Sequence, residues 1–236
     1  MLTSFLRNFA SENKHYKEER VKENKETCKD ELRYHIAETA LQQFAEKGIK
    51  EVKMDDIASL LSVSKRTIYE LYTDKEQLLL EALKIQNERM REEGKRRIRG
   101  AKHILDILLS LYTLYFEKLK SVNKKFFTEI EKYPNICKRN KDRENKNSKR
   151  FIAWMEMGRK QGMFRQDANF EILLFILRRD LQTIFTANIG SEENELSKYP
   201  VDELGRTLIL FYLRGISTPK GQTIIEEYLN KNKNNI

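Results

Sequence analysis

The stretch from residue 54 to residue 75, which reads MDDIASLLSVSKRTIYELYTDK, constrains the fold more than any other part of this chain. It contains two short runs of apolar residues at helical spacing, separated by a polar break. The runs are Ile57, Ala58 and Leu61, then Ile68, Leu71 and Tyr72. Helices this short are not stable alone in water, so they must pack against each other and against neighbouring helices. The stretch therefore predicts a helix-turn-helix.

A helix-turn-helix is built to place its second helix in the major groove of DNA. We predict that Ser64 is the N-cap of that helix, so that Lys65 and Arg66 lie in its first turn. Both side chains are expected to approach base edges, because their donors match the paired acceptors of guanine. An ion pair between Arg66 and Glu70, one turn later, is the alternative for Arg66.

Several residues around the second helix are predicted to hold the DNA backbone rather than the bases. Together with the first turn they give a predicted DNA-binding surface of Ser64, Lys65, Arg66, Thr67, Tyr69, Tyr72 and Lys75. Tyr69 is also placed to touch a thymine methyl group, and burial of the ring in the domain core is the alternative for both tyrosines. Lys75 lies in the first turn of a helix that Asp74 is predicted to cap, where free N–H groups favour an anion such as phosphate.

Composition favours an all-α fold. The 236 residues include only nine Gly and three Pro, and no strand-like run of alternating Val, Ile or Thr occurs. Arg178 and Arg179 interrupt the longest apolar stretch, which leaves none of the roughly 18 residues that a membrane span needs. The opening segment is too short and too polar for a signal peptide, and Cys28 and Cys137 are widely separated. We therefore expect a cytoplasmic protein with reduced thiols and no membrane contact.

The net charge of +9 is compatible with nucleic-acid binding, but its location does not single out the helix-turn-helix. Basic residues exceed acidic residues by two over residues 1–100 and by seven over residues 101–236. Positive charge lowers the cost of approaching phosphates without selecting a surface. The case for DNA therefore rests on the motif.

No residues point to catalysis or to a metal. The three histidines, His15, His35 and His103, are isolated from one another, and the sequence has no HExxH, CxxC, GxGxxG or GxxxxGK[ST] pattern. We expect no enzyme activity, no cofactor, and no catalytic or metal-binding residue.

The helix-turn-helix resembles the DNA-binding head of the TetR family of bacterial transcriptional regulators. The residues that carry the resemblance are Ile57-Ala58, Val63-Ser64-Lys65-Arg66-Thr67-Ile68-Tyr69 and Asp74-Lys75-Glu76-Gln77-Leu78. The resemblance is strong over residues 30–83 and extends to the remaining chain only in length and helical layout. The sequence departs from the family at Lys53, where a capping Ser or Thr is usual, and at Ser62, where the turn usually has Gly.

The resemblance implies an all-α protein with an N-terminal three-helix head and a C-terminal helical ligand-binding and dimerisation domain. We predict a charged N-terminal extension at residues 1–29, a helix-turn-helix DNA-binding domain at residues 30–77, and a regulatory and dimerisation domain at residues 78–236. The extension mixes acidic and basic residues, so a solvated helix is favoured over an arm that contacts the minor groove.

The resemblance also implies a homodimeric transcriptional regulator, a repressor that binds a palindromic operator in double-stranded DNA and is released by a small molecule. Six consecutive apolar residues at 172–177 exceed what one core-facing stripe needs. The helices at residues 170–185 and 203–216 are therefore predicted to pair with their copies. The alternative is a TetR-like nucleoid or division factor whose body binds a protein partner. A body without a pocket, or a partner bound at the basic residues 138–150, would favour that alternative.

Aromatic and sulphur side chains in the body predict a ligand pocket, with simple core packing as the alternative. The candidate lining residues are Tyr112, Phe116, Phe151, Trp154 and Met155. None of them is a carboxylate, so the predicted effector is small and mostly apolar, with an anionic group as an option because of the basic excess nearby. The helix that follows Asp74 is expected to transmit ligand binding to the head.

Overall fold

The computed structural model describes residues 24–186 and 195–232, and the chain is helical through most of these ranges. Within them, the one pairing of extended backbone is an isolated antiparallel bridge between Phe164 and Ser217. The α-helices are α1 (Asn24–Lys47), α2 (Met54–Leu60), α3 (Lys65–Leu71), α4 (Lys75–Arg97), α5 (Ile104–Leu119), α6 (Lys124–Glu129), α7 (Pro134–Lys160), α8 (Phe170–Thr186), α9 (Val201–Ile216) and α10 (Pro219–Lys231). Short 3-10 helices lie at Ile130–Lys132 and Glu195–Lys198. The all-α prediction is confirmed.

The chain divides into two compact units, residues 1–36 and residues 37–236. The first unit is described from residue 24 onward as the beginning of α1, with Tyr34 and His35 exposed. The predicted N-terminal extension lies outside the described residues up to residue 23, so its proposed roles stay predictions. The second unit contains the helix-turn-helix and all the helices of the predicted body. The predicted domain boundary at residue 77 also stays a prediction.

The helix-turn-helix is formed by α2, a turn and α3. Phe44 of α1, Ile57 of α2 and Ile68 of α3 are fully buried, so each of the three helices contributes an apolar face to the core of the head. The turn is held by a hydrogen bond from Val63 N–H to the Ala58 carbonyl at 3.0 Å, and Ser62 has a φ of 54°. This left-handed conformation costs a residue with a Cβ about 1 kcal/mol, which explains why the family usually has Gly there.

The first helix of the motif begins without the usual Ser or Thr cap. At this position Lys53 N–H donates to the Asp56 carboxylate at 2.8 Å, which is one half of a capping box. Asp55 and Asp56 also place two negative charges in the first turn, where the helix dipole favours them. The start of α2 is therefore stabilised from within the helix.

The helix α4 joins the head to the body. Asp74 caps it as predicted: its carboxylate accepts from Gln77 N–H at 2.7 Å, and Gln77 Oε1 in turn accepts from Thr73 N–H at 2.6 Å. Leu78 and Leu79 are fully buried and anchor the beginning of the helix. The helix has 23 residues, so it is about 35 Å long. It is long enough to connect the two functional regions of the second unit.

The helix α5 is central to the body, because it contacts α4, α7, α9 and α10. Its residues Ile104, Leu105 and Leu108 are buried. At Gly205 of α9, an added Cβ would overlap the ring of Phe116 in α5. Glycine at this position therefore allows α5 and α9 to lie close together.

Adjacent helices α8 and α9 carry an exposed apolar face, defined by Ile172, Phe175, Ile176 and Phe211. Phe175 is 66% exposed and Phe211 is 72% exposed, whereas Leu177 and Leu213 of the same helices are buried. Each helix therefore buries apolar residues in the body and also presents large apolar side chains outward, three on α8 and one on α9. A clustered apolar surface of this kind marks an interaction site rather than an ordinary solvated face.

No helix in the described parts of the chain combines the length and the apolar character that crossing a membrane requires.

Candidate DNA-binding surface and body cavity

The start of α3 is fixed by its predicted cap. Ser64 has an extended backbone, and its Oγ accepts a hydrogen bond from Thr67 N–H at 3.0 Å. The hydroxyls of Ser64 and Thr67 also share a hydrogen bond of 2.7 Å. These contacts hold the first turn of α3 in one geometry, with Lys65 and Arg66 at its exposed surface.

Both basic side chains of this turn are paired with carboxylates. Lys65 Nζ lies 2.9 Å from Asp55 Oδ2, and Arg66 Nε lies 2.8 Å from Glu70 Oε1. The hydrogen bond to Asp55 raises the pKa of Lys65 above its usual range. The Arg66 side chain is 88% exposed. Solvent-exposed ion pairs are weak, so a phosphate or a guanine edge can replace these partners.

The two predicted tyrosines have different environments. Tyr69 is 45% exposed, and its ring lies 6.0 Å from Lys65 Nζ on the same surface. Tyr72 is fully buried. It lies four residues after Ile68, on the helix face that packs into the head, so here it belongs to the core. The alternative of burial therefore describes Tyr72, and we leave it out of the proposed DNA-binding surface.

Lys75 is partly buried rather than open to solvent. Its ammonium donates to the Lys50 carbonyl at 3.4 Å and lies 5.7 Å from the centre of the Phe44 ring. Burial lowers the pKa of Lys75. To contact a phosphate, its flexible side chain would have to leave the Lys50 carbonyl, so the predicted contact stays a prediction.

Residues of the body form hydrogen bonds with the C-terminal end of α1 and with the loop that follows it. Asn123 N–H donates to the Ala45 carbonyl at 2.6 Å, and its side-chain Nδ2 donates to the Glu46 carbonyl at 3.0 Å. Glu129 Oε2 accepts from Lys50 N–H at 2.7 Å. The region around α6 therefore contacts the head, at the end of α1 and the loop that follows it, through specific hydrogen bonds that sequence patterns did not reveal.

A second set of contacts joins α7 to α4. Asn135 N–H donates to Glu76 Oε1 at 3.0 Å, and Arg139 donates to the Leu80 carbonyl at 3.4 Å. The body thus holds both the first helix of the head and the beginning of the connecting helix.

The body has a cavity of about 80 Å³ between α5, α9 and α10, and this cavity is partly open to solvent. Three aromatic side chains and three charged ones are part of its wall. The lining residues are Leu109, Tyr112, Thr113, Phe116, Glu117, Asp202, Arg206, Ile209, Leu210, Tyr228 and Leu229. Burial raises the pKa of the Tyr112 hydroxyl on the α5 side of the cavity.

Two of the five predicted lining residues, Tyr112 and Phe116, are in this wall. The other three belong to α7, where Met155 is fully buried and Phe151 and Trp154 are partly buried, and they are not in the described wall of the cavity. The predicted mostly apolar ligand assumed that no carboxylate lined the pocket. The structure instead places the carboxylates of Glu117 and Asp202 there.

The head and its basic capped helix, joined to an all-helical body, define the class of this protein as a DNA-binding transcriptional regulator. The family model of bacterial regulatory proteins, tetR family, matches residues 36–82. The predicted resemblance is confirmed for the head, whose residues match this family model. A comparison with curated protein sequences gives no match.

Solved structures with the same fold cover most of the chain. A transcriptional regulator from Saccharomonospora viridis, in complex with choline, is 24% identical with a TM-score of 0.66, and the match covers 80% of this chain and 99% of that one. A TetR-family regulator from Agrobacterium tumefaciens is 13% identical with a TM-score of 0.62, covering 80% and 100%. FadR from Bacillus subtilis, in complex with stearoyl-CoA, is 15% identical with a TM-score of 0.59, covering 78% and 98%. At these identities the likeness establishes the fold.

Proposed function

We propose that this protein is a ligand-responsive transcriptional repressor that binds a palindromic operator as a homodimer. The observation that carries the proposal is the first turn of α3, where a Ser64 cap presents Lys65 and Arg66 at the surface of a TetR-type head. A rigid helix end that presents two flexible basic side chains is suited to the major groove, where Arg and Lys recognise guanine.

The roles of the head residues follow from their positions. Lys65 and Arg66 approach base edges after leaving Asp55 and Glu70. Flanking side chains hold the DNA backbone, which fixes the register of the helix without reading sequence. These flanking residues are Ser64, Thr67, Tyr69 and Lys75.

The apolar face of α8 and α9 supports a homodimer. Phe175 and Phe211 are large, mostly exposed and on adjacent helices, and a second copy would cover the same face by two-fold symmetry. The predicted pairing of these two helices with their copies makes a four-helix bundle. In a two-fold dimer that binds two half-sites, the heads stand about 34 to 36 Å apart, one turn of DNA.

The cavity supports a small-molecule effector. The regulators from Saccharomonospora viridis and Bacillus subtilis, which share the fold, have structures with choline and with stearoyl-CoA. In this chain, Phe116 and Glu117 line the cavity near the end of α5, and Asn123 hydrogen-bonds to the head shortly after that end. A ligand that shifts the end of α5 would therefore bias the position of the head. By reciprocity, a ligand that weakens DNA binding must bind DNA-bound protein more weakly by the same factor.

The alternative of a nucleoid or division factor that binds a protein partner predicts a filled body. The cavity between α5, α9 and α10 supports the ligand-responsive regulator over that alternative. Binding of a partner protein near residues 138–150, together with no response to any ligand, would instead favour the nucleoid or division factor.

The test is selection of duplexes from a random pool by the purified full-length protein, followed by footprinting of the enriched sequences. We expect a site with two symmetric halves, occupied by two copies of the chain. The Lys65→Ala, Arg66→Ala double variant is the control, because it keeps the Ser64 cap and should lose the enrichment. Selection of no sequence above the random background, or a single half-site bound by one copy, would contradict the proposal.

A further inference from the structure

We propose that the body cavity binds a small organic cation, such as a quaternary ammonium or a protonated amine, with Asp202 as its counter-ion. This inference rests on the proposed ligand response and specifies the chemistry of the ligand. It differs from the mostly apolar or anionic ligand expected from the sequence, because the wall of the cavity includes the carboxylate of Asp202, which lies far from Tyr112 and Phe116 along the chain.

The size of the cavity limits the ligand. A volume of about 80 Å³ is room for on the order of five water molecules, or for a ligand with a similar number of non-hydrogen atoms. A compact head group such as a methylated ammonium fits this volume.

Asp202 gives the cavity its charge preference. Its Oδ1 is buried and accepts no hydrogen bond from the described part of the chain, while its Oδ2 lies 3.4 Å from Lys120 Nζ. The Lys120 side chain is 70% exposed, so it compensates the carboxylate only from the solvent side. A buried carboxylate oxygen is costly unless a cation or a donor approaches it, and the cavity is where such a group can do so.

The aromatic residues of the wall suit the same ligand. Tyr112 and Phe116 come from α5, and Tyr228 comes from α10, so aromatic rings reach the cavity from two of its sides. The faces of such rings attract organic cations, most strongly where water is excluded. Gly205 leaves room for the Phe116 ring, since any side chain there would overlap it.

The wall contains two other charged residues, Glu117 and Arg206. Glu117 is already bound by Arg97, which donates to its two oxygens at 3.1 and 2.5 Å. Of the two carboxylates, Asp202 is therefore the one with an oxygen left to bind the ligand.

The experiment compares three probes of similar shape and different charge: tetramethylammonium, tert-butanol and trimethylacetate. Each is titrated into the full-length protein without DNA, and binding is measured by calorimetry. We expect tetramethylammonium to bind about tenfold or more tightly than tert-butanol, and trimethylacetate to bind most weakly. Equal binding of the cation and the neutral probe, preference for the anion, or binding of none of them would overturn the inference.

Two neighbouring acids in the first turn of α9 provide a matched pair of variants. Asp202→Asn keeps the shape of the wall and should weaken tetramethylammonium binding about tenfold or more, with tert-butanol unchanged. Glu203→Gln removes the same charge from the same helix start but outside this cavity, and it should leave both probes unaffected. Equal losses in the two variants would assign the effect to the helix end and overturn the role of Asp202.

A third variant acts in the opposite direction. Lys120→Met removes the cation that partly compensates Asp202, so it should strengthen tetramethylammonium binding severalfold. Operator binding is measured on the same preparations. Normal operator binding without cation binding would refute the cation inference alone, whereas loss of operator selection in the parent protein would refute the proposed regulator.

Discussion

The head and the body of this protein position their functional groups in opposite ways. In the head, Ser64, Lys65 and Arg66 are consecutive, and one side-chain cap fixes them at the surface. In the body, Tyr112, Asp202 and Tyr228 come from three helices and meet only because those helices pack together. Local hydrogen bonds thus define the proposed DNA-binding surface, whereas tertiary packing defines the cavity. Substitutions in the head should change which DNA is bound, and substitutions in the body should change assembly and response.

The largest effect is expected where the body controls assembly. Phe211→Glu places a charge in the apolar face and should convert the proposed dimer to a monomer, because burying an unpaired carboxylate in an apolar interface is unfavourable. Loss of the second head should lower operator affinity by about a hundredfold or more. Sedimentation and operator titration measure the two effects.

The control for this variant is Thr223→Glu, which places the same charge on an exposed part of α10 outside the apolar face. It should remain dimeric. A Phe211→Glu protein that is still a dimer at micromolar concentration would show that the pairing surface lies elsewhere.

The next effect separates base recognition from backbone contact within the head. Arg66→Ala should reduce the preference for the selected operator over mismatched duplexes by about tenfold or more. Lys75→Ala should instead weaken all duplexes to the same extent and reduce the salt dependence of binding. Competition binding at several salt concentrations distinguishes the two. The same profile in both variants would remove the distinction between these residues.

A smaller effect is expected at the contact between head and body. Glu129→Gln weakens the charge-assisted hydrogen bond to Lys50 N–H, so the factor by which an effector lowers operator affinity should shrink, by about fivefold at most. Affinity for each ligand alone should change little. Glu131→Gln, on the exposed 3-10 helix nearby, is the control. Unchanged coupling in the Glu129 variant would leave α4 as the better candidate for transmission.

The smallest effect concerns the turn of the helix-turn-helix. Ser62→Gly should raise the free energy of unfolding by up to about 1 kcal/mol, since glycine adopts a φ of 54° without the steric cost of a Cβ. Ser59→Gly, inside α2, should lower it by a similar amount because glycine is a poor helix former. Denaturant titration of both variants tests the pair. A loss of stability in both would mean that the Ser62 side chain stabilises the turn.

The difference between local hydrogen bonding in the head and tertiary packing in the body explains what could be predicted from the sequence. The caps at Ser64 and Asp74 and the order of the head helices depend on residues a few positions apart, and these predictions agree with the structure. Helical spacing alone could not decide whether the Tyr72 ring faces solvent or the core. Helical spacing also could not predict the contacts of Asn123 and Glu129 with the head, because these contacts join segments far apart in the chain.

The cavity shows the same limit. Tyr112 and Phe116 are one turn apart on a single helix, so their shared face was visible as a pattern. Asp202 and Tyr228 reach that face from two later helices, and no local signal links them to it. The first-turn acid of α9 has an ordinary role at a helix start. Only the packing of α9 on α5 shows that its carboxylate also lines the cavity.

The contact between Gly205 and Phe116 has a consequence for how such a regulator can diversify. Gly205 and the Phe116 ring share the space between α9 and α5. A methyl group at position 205 would press the ring towards the cavity, and a smaller residue at position 116 would widen the cavity. Neither change touches the Asp202 carboxylate. In the proposed effector site, the size and the charge of the accepted molecule therefore depend on separate positions, so single substitutions can change one property at a time.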